Sequence, residues 1–121
     1  FIVAERAGHL VAFAEFARGP APVPVPVEGA VELKRLYVQE EFTGRGVGTA
    51  LLRHAETLAA KQGAVRLWLT AWIGNARALA FYARRGYREL GSTLFDFQGE
   101  QYENRVFSRE LRDAIITKGS P

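Results

Sequence analysis

The stretch from Leu33 to Arg53 reads Leu-Lys-Arg-Leu-Tyr-Val-Gln-Glu-Glu-Phe-Thr-Gly-Arg-Gly-Val-Gly-Thr-Ala-Leu-Leu-Arg, and it decides the fold. An apolar segment and a short polar turn come first, and then three glycines stand at alternate positions, Gly44, Gly46 and Gly48. The apolar or small residues that follow recur at the spacing of one helical face, at Val47, Leu51, Ala55 and Leu58. Gly63 then ends the helix. The stretch therefore predicts a strand, a glycine-rich loop and a helix.

Glycines in front of a helix leave backbone N–H groups facing outward. Together with the helix dipole, these groups suit a phosphate or a pyrophosphate. A Walker loop would require a Gly-Lys-Ser/Thr end, which this stretch lacks. A dinucleotide fingerprint would place its third glycine one position later, where Thr49 stands. Two interpretations remain for this stretch alone: an anion-binding loop, or a tight turn with no ligand.

The predicted strand Val31–Val38 changes phase. Its aliphatic side chains occupy odd positions at first and even positions from Leu36 onward. Because the side-chain period of a strand is two, this change indicates a β-bulge around Lys34 to Leu36. A bulge would leave backbone groups free for a ligand. An amphipathic strand with a half-buried Tyr37 is the alternative.

The composition limits the possible chemistry. A chain of 121 residues with 48% hydrophobic content is expected to form one domain, residues 1–121. Cysteine is absent, and the two histidines belong to no cluster with metal-ligand spacing, so we expect no disulfide, no cysteine nucleophile and no metal. A net charge of +3 suits a polyanionic cofactor, but the arginines are scattered, so nucleic acid is not expected. No apolar run approaches the ~20 residues of a membrane span and no signal peptide is visible, so we expect a cytoplasmic protein with no membrane partner.

The rest of the chain is predicted in this order: two strands in Phe1–Phe16 around a turn at Ala7-Gly8, a strand at Val65–Ala71, a helix at Ala76–Arg85, and strands at Tyr87–Leu90, Thr93–Phe97 and Tyr102–Arg109. Because a helix separates them, strands 31–38 and 65–71 should be parallel, with a right-handed crossover. Prolines exclude a central strand from Arg18–Val27, which should form an exposed, semi-extended loop. The sequence starts within a predicted strand and without methionine, so we expect an upstream part that is not represented, and Thr117–Pro121 should be a frayed tail.

A second motif reads Asn75-Ala-Arg-Ala-Leu-Ala-Phe-Tyr-Ala-Arg-Arg-Gly-Tyr87. It resembles, nearly position for position, the pattern Asn-x-x-Ala-x-x-Phe-Tyr-x-x-x-Gly-Phe/Tyr of the GCN5-related N-acetyltransferases (GNAT). The loop at Gly44–Gly48 resembles the coenzyme A pyrophosphate loop of the same family. The two motifs stand in the family's order, with one helix and one strand between them, and the resemblance extends from Phe1 to about Leu111.

This resemblance implies an α/β (α+β) fold. The sheet would be mixed and mostly antiparallel, with a central parallel strand pair splayed at a β-bulge and helices on both faces. The family fold begins with a further strand and two helices that this chain lacks. Where the family usually has Arg or Gln in the first motif, this sequence has Thr43. The lost cation or amide would weaken coenzyme binding, and Arg45 is a candidate to compensate.

The resemblance also implies which residues bind acetyl-CoA: Leu36, Tyr37, Val38, Thr43, Gly44, Arg45, Gly46, Val47, Gly48, Thr49, Asn75, Ala78 and Tyr82. Backbone N–H groups from Arg45 to Thr49 would hold the pyrophosphate. The backbone of Leu36–Val38 would pair with the pantetheine arm and orient the acetyl carbonyl. Asn75 would contact the pantetheine, and Tyr82 would point at the thioester sulfur. The residues alone favour a plain helix cap for Asn75 and a core aromatic for Tyr82.

Acetyl transfer to an amine needs a neutral amine, a donor for the oxyanion and a proton for the thiolate. Without cysteine, direct attack on the thioester is the economical mechanism. The N–H of Val38 is the candidate oxyanion donor, and Tyr82 is the candidate general acid. Glu32 is the candidate base, directly or through a water, and a solvated strand residue is its other interpretation.

We therefore expect an N-acetyltransferase that acts on a small-molecule amine or a peptide. A non-catalytic acyl-CoA-sensing domain of the same fold is the alternative, and a homodimer is compatible with the sequence. Acidic residues near the last hairpin and at the start of the bulged strand suggest a cationic acceptor; they are Asp96, Glu100, Glu103, Glu28 and Glu32. The other interpretation is that these acids solvate an exposed turn.

Overall fold

The computed structural model describes residues 2–6, 8–17, 25, 29–39, 44 and 46–111. These form β1 (Ile2–Arg6), β2 (His9–Ala17), β3 (Ala30–Val38), α1 (Val47–Lys61), β4 (Arg66–Trp72), α2 (Ala76–Arg84), β5 (Arg88–Phe97) and β6 (Glu100–Glu110). The strands form one sheet in the order β1-β2-β3-β4-β6-β5. β3 and β4 are parallel, and all other neighbours are antiparallel. The predicted mixed sheet with a central parallel pair is confirmed.

β3 contains the predicted β-bulge. In the pairing with β2, Glu15 lies opposite Arg35 and Phe16 lies opposite Leu33, so Lys34 is the extra residue. An extra residue exchanges the faces that the following side chains occupy. The aliphatic residues of β3 that contact the main core accordingly change from odd to even positions: Val31 and Leu33 before the bulge, Leu36 and Val38 after it.

β3 and β4 separate soon after they meet. Their parallel pairing consists of Ala30, Val31 and Glu32 opposite Arg66, Leu67 and Trp68. β4 continues to Trp72 and pairs with β6 over its whole length. In the described part of the chain, the edge of β4 that faces β3 is therefore unpaired beyond Trp68. The two strands enclose a V-shaped opening, which confirms the predicted splay.

Both described helices pack on the same face of the sheet. Leu52 and Ala55 of α1 and Tyr82 of α2 belong to one buried cluster with Leu67 and Leu69 of β4. The expectation of helices on both faces is corrected for these two helices. The strand order gives the reason. The connections β3–α1–β4 and β4–α2–β5 both join parallel strands and both advance in the same direction across the sheet. Two crossovers of the same hand then place their helices on the same side.

The opposite face of the sheet carries a smaller apolar cluster, formed by Val25, Trp68 and Val106 with Ala30 and Leu90 beside them. Val25 belongs to the proline segment that was expected to be exposed, yet it is only 1% exposed. At this residue the expectation is wrong, because the valine packs with Trp68. The rest of that segment and the predicted tail at 117–121 lie outside the described residues.

β5 is one continuous strand, whereas the sequence predicted two strands, Tyr87–Leu90 and Thr93–Phe97. Its register with β6 shifts between Glu89 and Gly91, so Leu90 is the extra residue of a bulge. The sequence pair Gly-Ser at 91–92 is typical of a turn. Here the bulge accommodates the glycine, and the strand continues.

Glu56 of α1 is the centre of a buried polar network that joins α1 to the sheet. Its carboxylate is 3% exposed. It accepts hydrogen bonds from Arg53 at 2.9 Å, from Arg109 at 2.7 Å and from the Tyr87 hydroxyl at 2.7 Å. Burial, reinforced by the adjacent carboxylate, raises the pKa of Tyr87 well above its usual value, so this hydroxyl keeps its proton and donates. The buried charge is therefore both paired and hydrogen-bonded.

We expect Glu56→Ala to lower the free energy of unfolding by about 3 kcal/mol, because it leaves Arg109 and Tyr87 without their acceptor. Urea denaturation measures the change. Glu110→Ala is the control, since Glu110 is an exposed carboxylate 4.0 Å from Arg66. Its removal should cost less than about 1 kcal/mol. Equal effects of the two substitutions would contradict the role of the network.

Candidate active site

The N-terminus of α1 presents unpaired backbone donors. Gly44 and Gly46 have φ angles of 78° and 81°, in the left-handed region that favours glycine. The first helical hydrogen bond runs from the Ala50 N–H to the Gly46 carbonyl at 3.0 Å. Three N–H groups consequently have no acceptor within the helix, those of Val47, Gly48 and Thr49. Among the described residues, no side chain caps this end and its first turn is free of acidic residues. The helix end is thus suited to an anion.

Gly48 lies where α1, α2 and the end of β3 meet. A Cβ atom at this position would lie 3.4 Å from Cζ of Phe81 in α2 and 3.6 Å from Cγ2 of Val38 at the end of β3. These are van der Waals distances, so position 48 has room for a Cβ atom, whereas Gly44 and Gly46 are needed for their backbone conformation. The unpaired donors of α1 lie beside the point where β3 ends. Thr43 and Arg45, the other predicted residues of this loop, lie outside the described residues.

The end of β3 directs backbone groups into the V-shaped opening. Leu36, Tyr37 and Val38 pair with β2 on one side. On the other side, the described pairing with β4 stops at Glu32. Because a strand directs backbone groups toward both of its neighbours, those of 36–38 that face β4 have no strand partner. Two of the predicted sets of coenzyme contacts, the backbone of β3 and the first turn of α1, therefore lie at one opening.

Asn75 is the N-cap of α2. Its Oδ1 accepts a hydrogen bond from the Ala78 N–H at 3.1 Å. The plain capping role is therefore confirmed, while the predicted coenzyme contact stays a prediction. Ala78 contributes this N–H to the cap and packs its side chain against the main core. The Nδ2 group of Asn75, which donates, makes no hydrogen bond to a described residue.

Tyr82 lies in the main core, and it is 9% exposed. Its ring packs against those of Phe81, Tyr87 and Phe107, with centroid distances of 5.1, 5.7 and 6.3 Å. Its hydroxyl makes no hydrogen bond to any described residue. Burial raises the pKa of Tyr82 to about 12. The side chain is thus a core aromatic that stays protonated at neutral pH, and the proton it holds is free to be donated.

Glu32 stands where β3 and β4 part, as the last residue of their parallel pairing. Its register partner is Trp68, so the two side chains lie on the same face of the sheet. Glu32 is half-buried, and this burial raises the pKa of its carboxyl, an effect that Lys34 partly opposes. Trp68 is 4% exposed, and its Nε1–H has no hydrogen-bond partner in the described chain. A buried N–H of this kind is normally satisfied, often by an ordered water.

Two acidic residues of the last hairpin already make polar contacts with neighbouring side chains. Glu103 accepts a hydrogen bond from the Ser92 hydroxyl at 2.9 Å and lies 3.9 Å from the Arg105 guanidinium. Glu100 accepts from the Tyr102 hydroxyl at 2.9 Å. Asp96 is exposed, and Glu28 lies outside the described residues. Glu103 is therefore a weaker candidate for attracting a cation than the sequence alone indicated.

Sequence reasoning missed Arg85. It follows the last residue of α2, at one of the variable positions of the second motif. Its Nε donates to Oγ1 of Thr49 at 2.9 Å, so it reaches the first turn of α1. Nothing in the sequence signals this contact between residues 36 positions apart, because it depends on both helices packing on the same face.

A sequence profile of the acetyltransferase (GNAT) family matches residues 1–87, which include both motifs. The chain belongs to the GNAT acetyltransferase family. It is 32% identical over 110 residues to an uncharacterized N-acetyltransferase of Mycobacterium tuberculosis, a match that covers 91% of this chain and 66% of that protein. It is 30% identical over 105 residues to spermine/spermidine N(1)-acetyltransferase of Bacillus subtilis, with 86% of this chain and 65% of that protein covered. The crystal structure of a GCN5-related N-acetyltransferase from Rhodopseudomonas palustris superposes with a TM-score of 0.69 at 29% identity and covers 89% of this chain and 59% of that one.

The GNAT assignment confirms the resemblance that the two motifs carried. The chain spans less than two thirds of the length of each of these relatives. None of the described helices of this GNAT chain is long and apolar enough to cross a membrane. Within the same described ranges, no group of three His, Asp or Glu side chains could hold a metal ion.

Proposed function

We propose that this GNAT chain transfers an acetyl group from acetyl-CoA to a primary amine. One observation carries the proposal: the splayed β3–β4 pair opens directly beside the unpaired N–H groups at the N-terminus of α1. A long donor with a phosphate end and a flexible arm needs these two features side by side. The anion site would hold its charged end, and the unpaired strand edge would hold its amide-bearing arm.

The coenzyme would bind in two parts. Its pyrophosphate would accept hydrogen bonds from the N–H groups of Val47, Gly48 and Thr49. Its pantetheine amides would pair with the backbone of Leu36–Val38, as an added strand pairs with a sheet edge. The Nδ2 group of Asn75, which is not used in the cap, would donate to the same arm. Positive φ angles at Gly44 and Gly46 support the loop shape that this requires.

The reaction would proceed by direct attack. The neutral amine nitrogen forms a bond to the thioester carbonyl carbon, and the carbonyl oxygen becomes an oxyanion that the Val38 N–H stabilises. Collapse of this intermediate breaks the C–S bond. The departing thiolate takes the proton of the Tyr82 hydroxyl, and the amine proton passes to Glu32 or to a water beside it. The Tyr82 hydroxyl is protonated at neutral pH, as an acid must be, but its pKa of about 12 makes it a weaker proton donor than an exposed tyrosine.

The acceptor we propose is a small amine with a second positive charge. Glu32 stands at the vertex of the opening. On the same face, an aromatic pair lies further along each arm of the opening: Phe13 with Tyr37, whose centroids are 5.6 Å apart, and Trp72 with Tyr102, at 6.4 Å. A strand rises ~3.3 Å per residue, so these rings lie several residues away from Glu32. The carboxylate suits one ammonium group of such an acceptor, and the faces of the rings suit the other. The relative from Bacillus subtilis, named for spermine and spermidine, supports the same class of acceptor.

The test is a thiol-release assay with acetyl-CoA and an amine panel, with the acetylated product identified by mass spectrometry. A diamine should be used better than an amino alcohol of the same length, and its advantage should fall at high salt. Equal rates for the two amines would contradict the cationic acceptor while leaving acetyl transfer in place. Binding of acetyl-CoA without turnover of any amine would instead favour an acyl-CoA-sensing domain.

The ionisation of the Glu32 carboxyl should also affect the pH dependence of kcat/KM. Because burial raises the pKa of its carboxyl, the base is ionised only above the usual range of glutamate, about 4.3. We expect kcat/KM to rise with pH through that elevated pKa, and Glu32→Gln should remove this limb. Lys34→Gln is the informative control, since Lys34 lowers the pKa, and its loss should move the limb to higher pH. If the pH profile of kcat/KM is unchanged in Glu32→Gln, water alone accepts the amine proton.

A further inference from the structure

We propose that Arg85 is a coenzyme-binding residue that donates to the pyrophosphate at the first turn of α1, an inference that rests on the proposed use of acetyl-CoA. Its guanidinium lies against that turn. Nε donates to Oγ1 of Thr49 at 2.9 Å, and the Cζ atom lies 3.9 Å from the centroid of the Phe81 ring. A Cβ atom at Gly48, another residue of this turn, would lie 3.4 Å from the same ring. Arg85 thus contacts the side chain of Thr49, one of the three residues whose N–H groups have no acceptor within the helix.

The position of Arg85 is held from several directions. Nη1 donates to the Phe81 carbonyl at 3.2 Å, which folds the side chain back along α2. The Arg85 carbonyl accepts a hydrogen bond from Nη2 of Arg53 at 3.1 Å. Arg53 is in turn held by the buried carboxylate of Glu56. A guanidinium held in this way is oriented before a ligand arrives, so binding costs little side-chain entropy.

The guanidinium retains unused donors and an unneutralised charge. Arginine has five N–H donors, and the two hydrogen bonds to Thr49 and Phe81 use two of them. Within the described chain, no carboxylate lies within ion-pair distance of Arg85, whereas Arg53, Arg105 and Arg109 all face one. A half-buried cation without a carboxylate, next to free backbone donors, matches the needs of a bidentate phosphate ligand.

The position of Arg85 compensates for a difference between the glycine loop and the family pattern. Thr43 stands where the family usually has Arg or Gln, so at this position the loop offers a hydroxyl in place of a cation or an amide. Arg85 brings a cation to the same helix end from the neighbouring helix. It also links the pyrophosphate site to α2, which carries Tyr82.

The experiment compares Arg85→Gln and Arg85→Lys with wild type by calorimetry. The ligands are coenzyme A and 3′-dephospho-coenzyme A, which share the pyrophosphate. We expect Arg85→Gln to weaken both by about tenfold to a hundredfold and to flatten the salt dependence of Kd. Arg85→Lys should restore only part of the affinity, because an ammonium cannot make the bidentate contact. Lys61→Gln is the matched control, since Lys61 lies roughly 18 Å away at the other end of α1; it should bind as wild type does.

A second donor, S-acetyl-N-acetylcysteamine, carries no phosphate. With this donor, kcat/KM should be the same in Arg85→Gln as in wild type. If kcat/KM falls as much with this donor as with acetyl-CoA, Arg85 has a purely structural role. A loss of affinity for coenzyme A but not for the dephospho form would assign Arg85 to the 3′-phosphate and overturn the pyrophosphate contact.

If Arg85→Gln proves unstable, Thr49→Val is the second variant, because it releases the guanidinium while retaining its charge. Unchanged affinity for coenzyme A in Thr49→Val would count against a role of the Thr49 contact in holding Arg85. Wild-type protein that fails to bind coenzyme A overturns the proposed function itself, whereas wild-type binding with an unaffected Arg85→Gln overturns this assignment alone.

Discussion

Tyr82→Phe is expected to lower kcat by about 10²–10⁴-fold, the usual contribution of a general acid, with little change in the affinity for acetyl-CoA. The substitution removes one hydroxyl and keeps the ring. The contacts with Phe81, Tyr87 and Phe107 therefore persist, and so does the core. The hydroxyl makes no hydrogen bond to a described residue, so its loss leaves no partner unsatisfied there. What disappears is the proton that the thiolate would receive.

The measurement is single-turnover thiol release, which isolates the chemical step from product release. Tyr87→Phe is the matched control, since it deletes a hydroxyl from the adjacent ring. That hydroxyl donates to Glu56, so its loss should lower the free energy of unfolding by about 1–3 kcal/mol and leave kcat near wild type. An acetyl thioester with a more acidic thiol should rescue Tyr82→Phe, because its thiolate needs no proton to leave. Wild-type single-turnover rates in Tyr82→Phe would assign Tyr82 to the core alone.

The parts of this fold that the sequence predicted are those with a local signal. The β-bulge was predicted because the aliphatic residues of β3 change from odd to even positions at Leu36, and the observed register shift at Lys34 explains that change. The extent of α1 was predicted because glycines flank an apolar stripe; the helix runs from Val47, within the glycine loop, to Lys61, before Gly63. The splay was expected from this phase change together with the two motifs that carried the family resemblance. For the bulge and for α1, one segment of the chain contained the whole signal.

The parts that the sequence did not predict depend on packing between distant segments. The face that α2 occupies follows from the position of β5 beyond β6, and no residue of α2 encodes it. Val25 is buried because Trp68 and Val106 offer an apolar surface to it. Arg85 meets Thr49 because the two helices share that face. Glu103 is engaged by Ser92 and Arg105 because the register of the hairpin brings them together. Such contacts become visible once the strand order is known.

The same division applies to the candidate site. Its backbone components, the first turn of α1 and the end of β3, were predictable because glycines and a phase change mark them. Its side-chain components were not, since Asn75 and Tyr82 satisfy structural roles that sequence patterns cannot separate from functional ones. Asn75 caps α2, and Tyr82 fills the core. Because a structural role does not exclude the proposed functional one, kinetic measurements on variants are needed to separate the two.

Gly48→Glu is expected to weaken binding of coenzyme A by about a thousandfold while the fold persists. The new side chain would leave α1 between Phe81 and Val38, beside the unpaired N–H groups that the pyrophosphate would use. A carboxylate about 4 Å from a phosphate charge, at the effective dielectric constant of a protein surface, repels it by about 4 kcal/mol. Each 1.4 kcal/mol corresponds to tenfold in Kd. The carboxylate would also accept hydrogen bonds from the free N–H groups and so compete with the ligand.

Stability and affinity should move in opposite directions in this variant. Gly48 has helical backbone angles, so replacing it removes a glycine penalty of about 0.8–1 kcal/mol, and an acidic residue in the first turn adds a favourable interaction with the helix dipole of about 0.3–1 kcal/mol. The new Cβ meets Phe81 at 3.4 Å, an ordinary contact.

Gly48→Ala and Gly48→Gln are the controls: alanine tests the added Cβ, and glutamine matches the volume of glutamate without its charge. Calorimetry with coenzyme A should rank the affinities as Gly, Ala, Gln and Glu in falling order, with the largest step between Gln and Glu, while urea denaturation shows no loss of stability. If Gln and Glu weaken binding equally, the effect is steric and the pyrophosphate does not lie at this helix end. If the folded Glu variant binds as wild type does, the loop is a turn without a ligand, the interpretation that the glycine stretch by itself left open.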